Sequence, residues 1–204
     1  MPQFLDDKFI LRGRYVNLRP LRIDDAEFTF RWRRGERAAL LNQGAQTVEQ
    51  QISWITSRPT NEHNFIIETR ADKPIGMLSL SGIDVANRVG EPGRFLIGDE
   101  EAAQGIPAAA EAMKLLYELA FDRLELRRIW GIVASNNHRM IKWQTYLGMV
   151  REGCLRQHLF LNGKSQDAIL FGLLADEYRR VTLPRLESLI AAARLPIAQS
   201  NLPE

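Results

Sequence analysis

The residues best suited to grip an anion lie between Gly98 and Glu111, where Gly98, Ala102, Ala103, Gly105, Ala108, Ala109 and Ala110 are small and Pro107 precedes a helical pattern. Small residues at a strand-to-helix junction let the backbone approach a phosphate, which the exposed N–H groups and positive dipole of the helix start then hold. Taken alone, the pattern equally fits an ordinary α/β turn. A second set is cationic and aromatic: Arg31, Trp32, Arg33 and Arg34 are consecutive. Arginines beside a stacking ring suit a nucleotide diphosphate, whereas a solvated helix face with Trp32 in the core explains the same residues. The histidines carry less. His63, within Asn61 to Asn64, reads as turn chemistry, and His138 and His158 have no carboxylate or cysteine at metal-ligand spacing, so no metal is expected. Cys154 is the single cysteine; it lacks an evident base and is expected to be a strand residue, not a nucleophile.

These residues must be positioned by an alternation of helices and strands. Tyr15 to Leu21 has the two-residue period of a strand, and Asp24 or Asp25 can cap a helix through Ala26, Phe30 and Trp32 that Gly35 interrupts. Thr47 and Gln50 form a capping box for a helix with Val48, Ile52 and Ile55 on one face. Asn64 to Thr69 and Lys73 to Gly82 read as strands around an Ala71–Asp72 turn. Asp84 to Gly90 reads as a polar connection, and Gly93 to Ile97 as a further strand. From Ala108, Met113, Leu116, Tyr117, Ala120, Phe121 and Leu124 recur on one helical face, with Pro107 suited to the first helical position. Arg128 to Val133 is an apolar strand. Asn136 or Asn137 caps a helix with Met140, Trp143 and Leu147 inward, and Gly148 is placed to end it. Arg151 to Leu161 and Ser165 to Leu173 flank Asn162-Gly163, a strong hairpin signal. The order implies an α/β chain with a mixed sheet and one parallel crossover through the helix from Ala108.

The bulk properties fit one globular unit. A chain of 204 residues with 45% hydrophobic and 25% charged residues supports a single sizeable core, and a net charge of +2 gives no field strong enough for nucleic acid. One cysteine fits a reducing compartment. The charged N-terminal stretch does not resemble a signal peptide, and no apolar run has spanning length, so a cytoplasmic protein without a membrane partner is expected. We expect residues 1–178 to form one domain and residues 179–204 a helical tail that ends in a fraying Pro-containing segment. Leu183, Leu186, Leu189 and Ile190 in that tail are available for self-association, so either a monomer or a homodimer is compatible with the sequence.

Several features in one order sharpen the reading. Gln104-Gly105 and Ala109 resemble the Gln/Arg-x-x-Gly-x-Gly/Ala coenzyme A signature of the GNAT acetyltransferase superfamily. Tyr117, Phe121, Leu124, Leu126 and Ile129 follow, then Asn137 eleven residues before Gly148, then Arg151, Gly153, Leu155 and Arg156, with Gly163 and Asp167 in the closing hairpin. The succession is similar to the Rim-type branch, which includes ribosomal-protein N-terminal and nucleotide-linked amino-sugar acetyltransferases, and it covers Leu11 to Tyr178. The resemblance implies a mixed, mostly antiparallel GNAT-like sheet with splayed central strands and flanking helices. It implies acetyl-CoA as cosubstrate, its pantetheine threading the splay between Phe95–Ile97 and Ile132–Ser135.

The same resemblance implies roles. Gln104, Gly105, Ile106, Ala108 and Ala109 would hold the pyrophosphate, Asn137 would bond the pantetheine arm, and Phe95, Leu96 and Ile97 would line it. The Leu96 N–H would polarise the thioester carbonyl. Glu91 falls where the branch places a strand glutamate and would take the proton of the attacking amine; a plain loop residue is the competing account. Trp32, Arg33 and Arg34 resemble the acceptor segment of the amino-sugar enzymes, giving an N-acetyltransferase of a nucleotide-linked amino sugar by direct attack in a ternary complex. The alternatives are a protein N-terminus or a small amine as acceptor, or a non-enzymatic acyl-CoA-binding module. Two positions depart from the pattern. Gln144 stands where relatives carry a tyrosine acid, and Pro107 removes one N–H where the signature has glycine.

Overall fold

The computed structural model describes residues 9–42 and 44–193. Its centre is one eight-stranded sheet in the order β1-β2-β3-β4-β5-β6-β8-β7. The strands are β1 (Leu11–Arg12), β2 (Val16–Pro20), β3 (His63–Thr69), β4 (Pro74–Asp84), β5 (Val89–Ile97), β6 (Arg128–Ala134), β7 (Val150–Leu161) and β8 (Lys164–Leu174). The helices are α1 (Ala26–Arg34), α2 (Val48–Thr56), α3 (Ala108–Glu118), α4 (His138–Tyr146), α5 (Ala175–Glu177) and α6 (Leu183–Ala192). Every neighbouring pair is antiparallel except β5 with β6, which are parallel and joined through α3.

Local chemistry accounts for most boundaries. Thr47 Oγ1 accepts from the Gln50 amide at 3.2 Å, as a capping box requires, but Gln50 Oε1 reaches back to the Gln46 amide at 2.8 Å, one residue earlier than the motif predicts. Asn137 Oδ1 accepts from the Met140 amide at 3.1 Å and starts α4. Asn162 and Gly163 hold φ of 49° and 75° and turn β7 into β8. The polar connection expected from Asp84 to Gly90 is shorter: Val85–Arg88 forms the turn, and both flanking strands extend into the rest. Asp84 Oδ1 accepts from the Asn87 amide at 2.8 Å and Arg88 takes φ of 56°, so the chain reverses within four residues. Pro107 is the cap before α3, with ψ of 47°, and is not the first helical residue.

The principal core lies between the sheet and α3 with α6. Tyr117, Leu116, Leu119, Ala120 and Tyr178 are fully buried, and Phe121 stacks on Tyr178 with centroids 4.7 Å apart. The boundary expected after Tyr178 falls inside a continuous helical segment, Ala175–Glu177 through Tyr178–Thr182 to Leu183–Ala192. Leu186 and Ile190 belong to the principal core. Leu183 and Leu189 pack against it while partly exposed, so all four residues read as available for self-association are engaged in packing. The expected fraying end lies outside the described residues. On the other side, a smaller cluster joins α1 and α2 to the sheet through Leu21, Ala26, Ile55, Ile66, Met77 and Leu96.

Candidate active site

The site begins with a failure of pairing. β5 and β6 are matched only at Val89 with Arg128 and Gly90 with Ile129; beyond these two pairs the strands part. The cause is in β5. Between the pairs Ser79–Gly93 and Met77–Leu96, β5 spends three residues where β4 spends two, and Arg94 sits in this bulge at φ of 52°. A bulge bends its strand and raises the local twist, which swings the end of β5 away from β6. β6 remains paired to β8 along its whole length, so β5 is the strand that leaves.

A cavity of about 540 Å³ opens beside the parting, walled by Glu91–Arg94 of β5 and Ile132–Ala134 of β6. Asn137 and Met140 of α4, Arg33 of α1 and Gln51 and Trp54 of α2 also line it. Gln51 is itself buried and donates from Nε2 to Thr29 Oγ1 at 3.1 Å, which fixes α2 against α1. Glu91 is held by its backbone, whose carbonyl accepts from Ser81 Oγ at 3.2 Å; its carboxylate has no hydrogen-bond partner among the described residues. Burial raises the Glu91 pKa above the ordinary carboxylate value, and the charge of Arg94 opposes that shift. A carboxylate so placed is a candidate proton acceptor.

The start of α3 is a second component. Its cap residue Pro107 offers no side-chain hydrogen bond, and the first amide of the helix bonded to a carbonyl is that of Glu111, to Pro107. The N–H groups of Ala108, Ala109 and Ala110 thus stand at a positive helix end without an intrahelical partner. Gly105, at φ of 78°, turns the chain into this position with open space where a side chain would be. These groups suit a pyrophosphate. Gln104 is exposed, while the Gln104 and Ile106 amides are used in local turns to Glu101 and Ala103, which leaves the helix amides as the main donors. Asn137 spends Oδ1 on the α4 cap, so its amide nitrogen is free to donate into the cavity.

Expectations about three individual residues change. A side chain on Gly76 would meet the Leu96 carbonyl oxygen at 2.4 Å, so that carbonyl points toward β4. An extended residue directs its N–H and C=O to the same edge, and the Leu96 amide therefore faces β4 as well. The Gly98 amide also turns to β4, bonding Ile75 at 2.8 Å, so alternation directs the intervening Ile97 amide toward the gap. Trp32 does not line the cavity. Its ring packs against Gly98, where a Cβ would come within 2.2 Å, and against Phe28 at 4.8 Å between centroids. Arg34 bonds Gln46 Oε1 at 2.9 Å outside the cavity. Of the three acceptor candidates only Arg33 reaches the cavity.

Sequence reasoning missed Arg94 and Glu111. Arg94 lines the cavity and holds Glu62, Asn64 and Ser79 at 3.2–3.3 Å. Glu111 accepts from the amides of Arg14 at 2.9 Å, Tyr15 at 2.6 Å and Val16 at 2.7 Å, tying the first turn of α3 to the start of β2. An acidic residue in the first turn of a helix was the available signal for Glu111; its partners lie more than ninety residues away. At the expected tyrosine-acid position, Gln144 Oε1 is buried without a partner among the described residues, and the nearby Tyr146 is exposed, with the Arg185 guanidinium 5.5 Å from its ring centroid. Among the described residues no group of three or more His, Cys, Asp or Glu side chains is arranged to hold a metal, and no helix is long and apolar enough to cross a membrane.

Comparison with known proteins agrees with this geometry. The family described as Acetyltransferase (GNAT) domain matches residues 16–150. The chain is 34% identical over 103 residues to "Putative ribosomal N-acetyltransferase YdaF" of Bacillus subtilis, covering 50% of this chain and 55% of that one. It is 29% identical over 118 residues to spermidine N(1)-acetyltransferase of Escherichia coli K12, covering 58% and 61%. These alignments span little more than half the length of the relatives. A GCN5-related N-acetyltransferase structure from Brucella melitensis superimposes with a TM-score of 0.75 at 27% identity, covering 91% of this chain and 87% of that one. With the parted strands, the open helix start and a family match over well more than half of its length, this chain belongs to the GNAT acetyltransferase family.

Proposed function

We propose that the protein is an acetyl-CoA-dependent N-acetyltransferase acting on a primary amine by direct transfer in a ternary complex. The observation that carries this reading is the gap between β5 and β6, with Glu91 at its side and unpartnered α3 amides available for phosphate. Acetyl-CoA supplies the acetyl group as a thioester, so the reaction forms an amide C–N bond, breaks a C–S bond and releases the thiol. The residues present fit that cosubstrate: the amides of Ala108, Ala109 and Ala110 suit its pyrophosphate, and the free amide of Asn137 suits its pantetheine arm. The unpaired edges of β5 and β6 offer backbone groups to an extended arm lying between them.

Within this scheme Glu91 accepts the proton that the amine nitrogen loses as the C–N bond forms. The Ile97 amide, turned to the gap, takes the polarising role assigned from the sequence to Leu96. Gln144 has no proton to give as an acid, so the departing sulfur takes its proton from water. The acceptor enters through the cavity between α1, α2 and the β5–β6 parting. The amino-sugar reading now rests on Arg33 alone, since Trp32 packs against Gly98 and does not line the cavity.

Thiol release from acetyl-CoA, measured with amino-sugar nucleotides, N-terminal peptides and polyamines in turn, tests the proposal. Release with at least one amine class is expected. Acetyl-CoA binding without release from any of them would replace the transferase with an acyl-CoA-binding module.

A further inference from the structure

Two guanidinium groups share the cavity that holds Glu91; Arg94 pairs with the Glu62 carboxylate behind the lining, and Arg33 pairs with no carboxylate among the described residues. Arg94 is anchored through one nitrogen. Its Nη1 donates to Glu62 Oε2 at 3.3 Å, Asn64 Oδ1 at 3.3 Å and Ser79 Oγ at 3.2 Å, and its guanidinium carbon lies 5.3 Å from the Trp54 ring centroid. Its Nε and Nη2 have no hydrogen-bond partner among the described residues. Arg33 is held in the same way, with Nη2 donating to the Asn42 carbonyl while Nε and Nη1 are left over, and no carboxylate pairs with it among the described residues. The charged residues lining the cavity are therefore two cations and the single carboxylate of Glu91. Burial, and after it the like charge of Arg94, disfavour the charged form of Arg33, as expected where a counter-ion is wanting.

We propose that this cavity selects an acceptor that carries an anionic group, a phosphate or a carboxylate, beside its amine, with Arg33 and Arg94 holding the anion and Glu91 meeting the amine. The inference rests on the transferase reading above. Guanidinium forks bind such oxyanions through paired, charge-assisted hydrogen bonds, and anchoring by one nitrogen leaves the rest of each fork preorganised. Glu91 and Arg94 lie three residues apart on β5, at most about 10 Å at an extended rise of ~3.3 Å per residue, so amine and anion fit within one small molecule. A polyamine would instead bring further cations against Arg33, which no carboxylate pairs among the described residues, and against Arg94 beside it. This separates the chain from its spermidine-acetylating relative.

The test compares acetyl transfer to glucosamine 6-phosphate, glucosamine and spermidine at saturating acetyl-CoA. A kcat/KM ratio of about tenfold or more for the phosphorylated over the unphosphorylated sugar is expected, the size of one charge-assisted hydrogen bond. Arg33→Gln should bring that ratio toward one, and Arg33→Lys should leave it in between, because charge is kept and the fork is lost. Preference for spermidine or plain glucosamine, or a ratio that Arg33→Gln leaves intact, overturns the proposal. Should none of the three release thiol, calorimetry of inorganic phosphate binding to the protein–CoA complex decides. Binding that Arg33→Gln abolishes retains the anion site, and release with N-terminal peptides then decides the transferase reading; absence of binding, or binding that Arg33→Gln leaves intact, removes the anion site.

Discussion

Two groups of charge, one buried around Asp25 at the start of α1 and one half-buried around Arg33 in its last turn, are built to different rules. Arg19, Asp25 and Glu68 form a closed set. Arg19 Nη1 and Nη2 meet the Asp25 carboxylate at 2.6 and 2.8 Å, Nε meets Glu68 at 2.5 Å, and the Arg22 amide adds a bond to Asp25 at 2.7 Å. All three guanidinium nitrogens have an acceptor. Around the cavity, Arg33 and Arg94 each use one nitrogen, and the Glu91 carboxylate uses none of its acceptor sites. Burying a charge is costly unless it is matched, so a closed set holds structure together while an open one keeps unsatisfied capacity for something outside the chain. Both sets contain arginine and glutamate or aspartate. What separates them is whether donors and acceptors balance inside the protein.

The contrast breaks most visibly through Arg19→Met, which strands Asp25 and Glu68 and should cost about 3–5 kcal/mol in urea unfolding. Folded molecules of that variant should keep the parent's acceptor KM, since Arg19 does not line the cavity. A stable Arg19→Met protein would show that the closed set carries no structural weight. On the open side, Glu91→Gln should lower kcat by about 100-fold or more, with acetyl-CoA affinity retained. An unchanged kcat removes Glu91 from the scheme.

A pH profile sharpens the same comparison. The base must be ionised, and burial raises the Glu91 pKa, so the acid limb of kcat should lie above the ordinary carboxylate range and activity should rise through it. Arg94 is the charge that opposes this shift; Arg94→Gln should move the limb to still higher pH, and movement to lower pH would place the two groups out of electrostatic reach. The smallest effect is expected at Gln144. Its Oε1 is already unpartnered, so Gln144→Ala should change kcat by no more than about twofold. A collapse in rate would give that glutamine a chemical part.

Elements governed by near neighbours were readable from the sequence. Thr47 and Asn137 announce their helices because a cap bonds an amide three residues on, and Asn162-Gly163 announces its hairpin because the turn needs two positive φ values in succession. The family resemblance added the parted strands and pointed to the start of α3 as a candidate anion site. The terms that failed are those in which a distant segment decides. Trp32 reads as part of the acceptor site, but its ring packs against Gly98, which comes from another part of the chain, and does not line the cavity.

By itself, then, the sequence determined the order of the elements from β2 onward, the helix starts at Thr47 and Asn137 and the single parallel crossover, because caps, turns and periodicity act over a few residues. Only the tertiary structure decided which charges meet. Glu91 and Arg94 stand three apart, so a regular strand would send them to opposite faces. The bulge at Arg94 inserts an extra residue, resets that alternation and brings both to one cavity with Arg33 from α1.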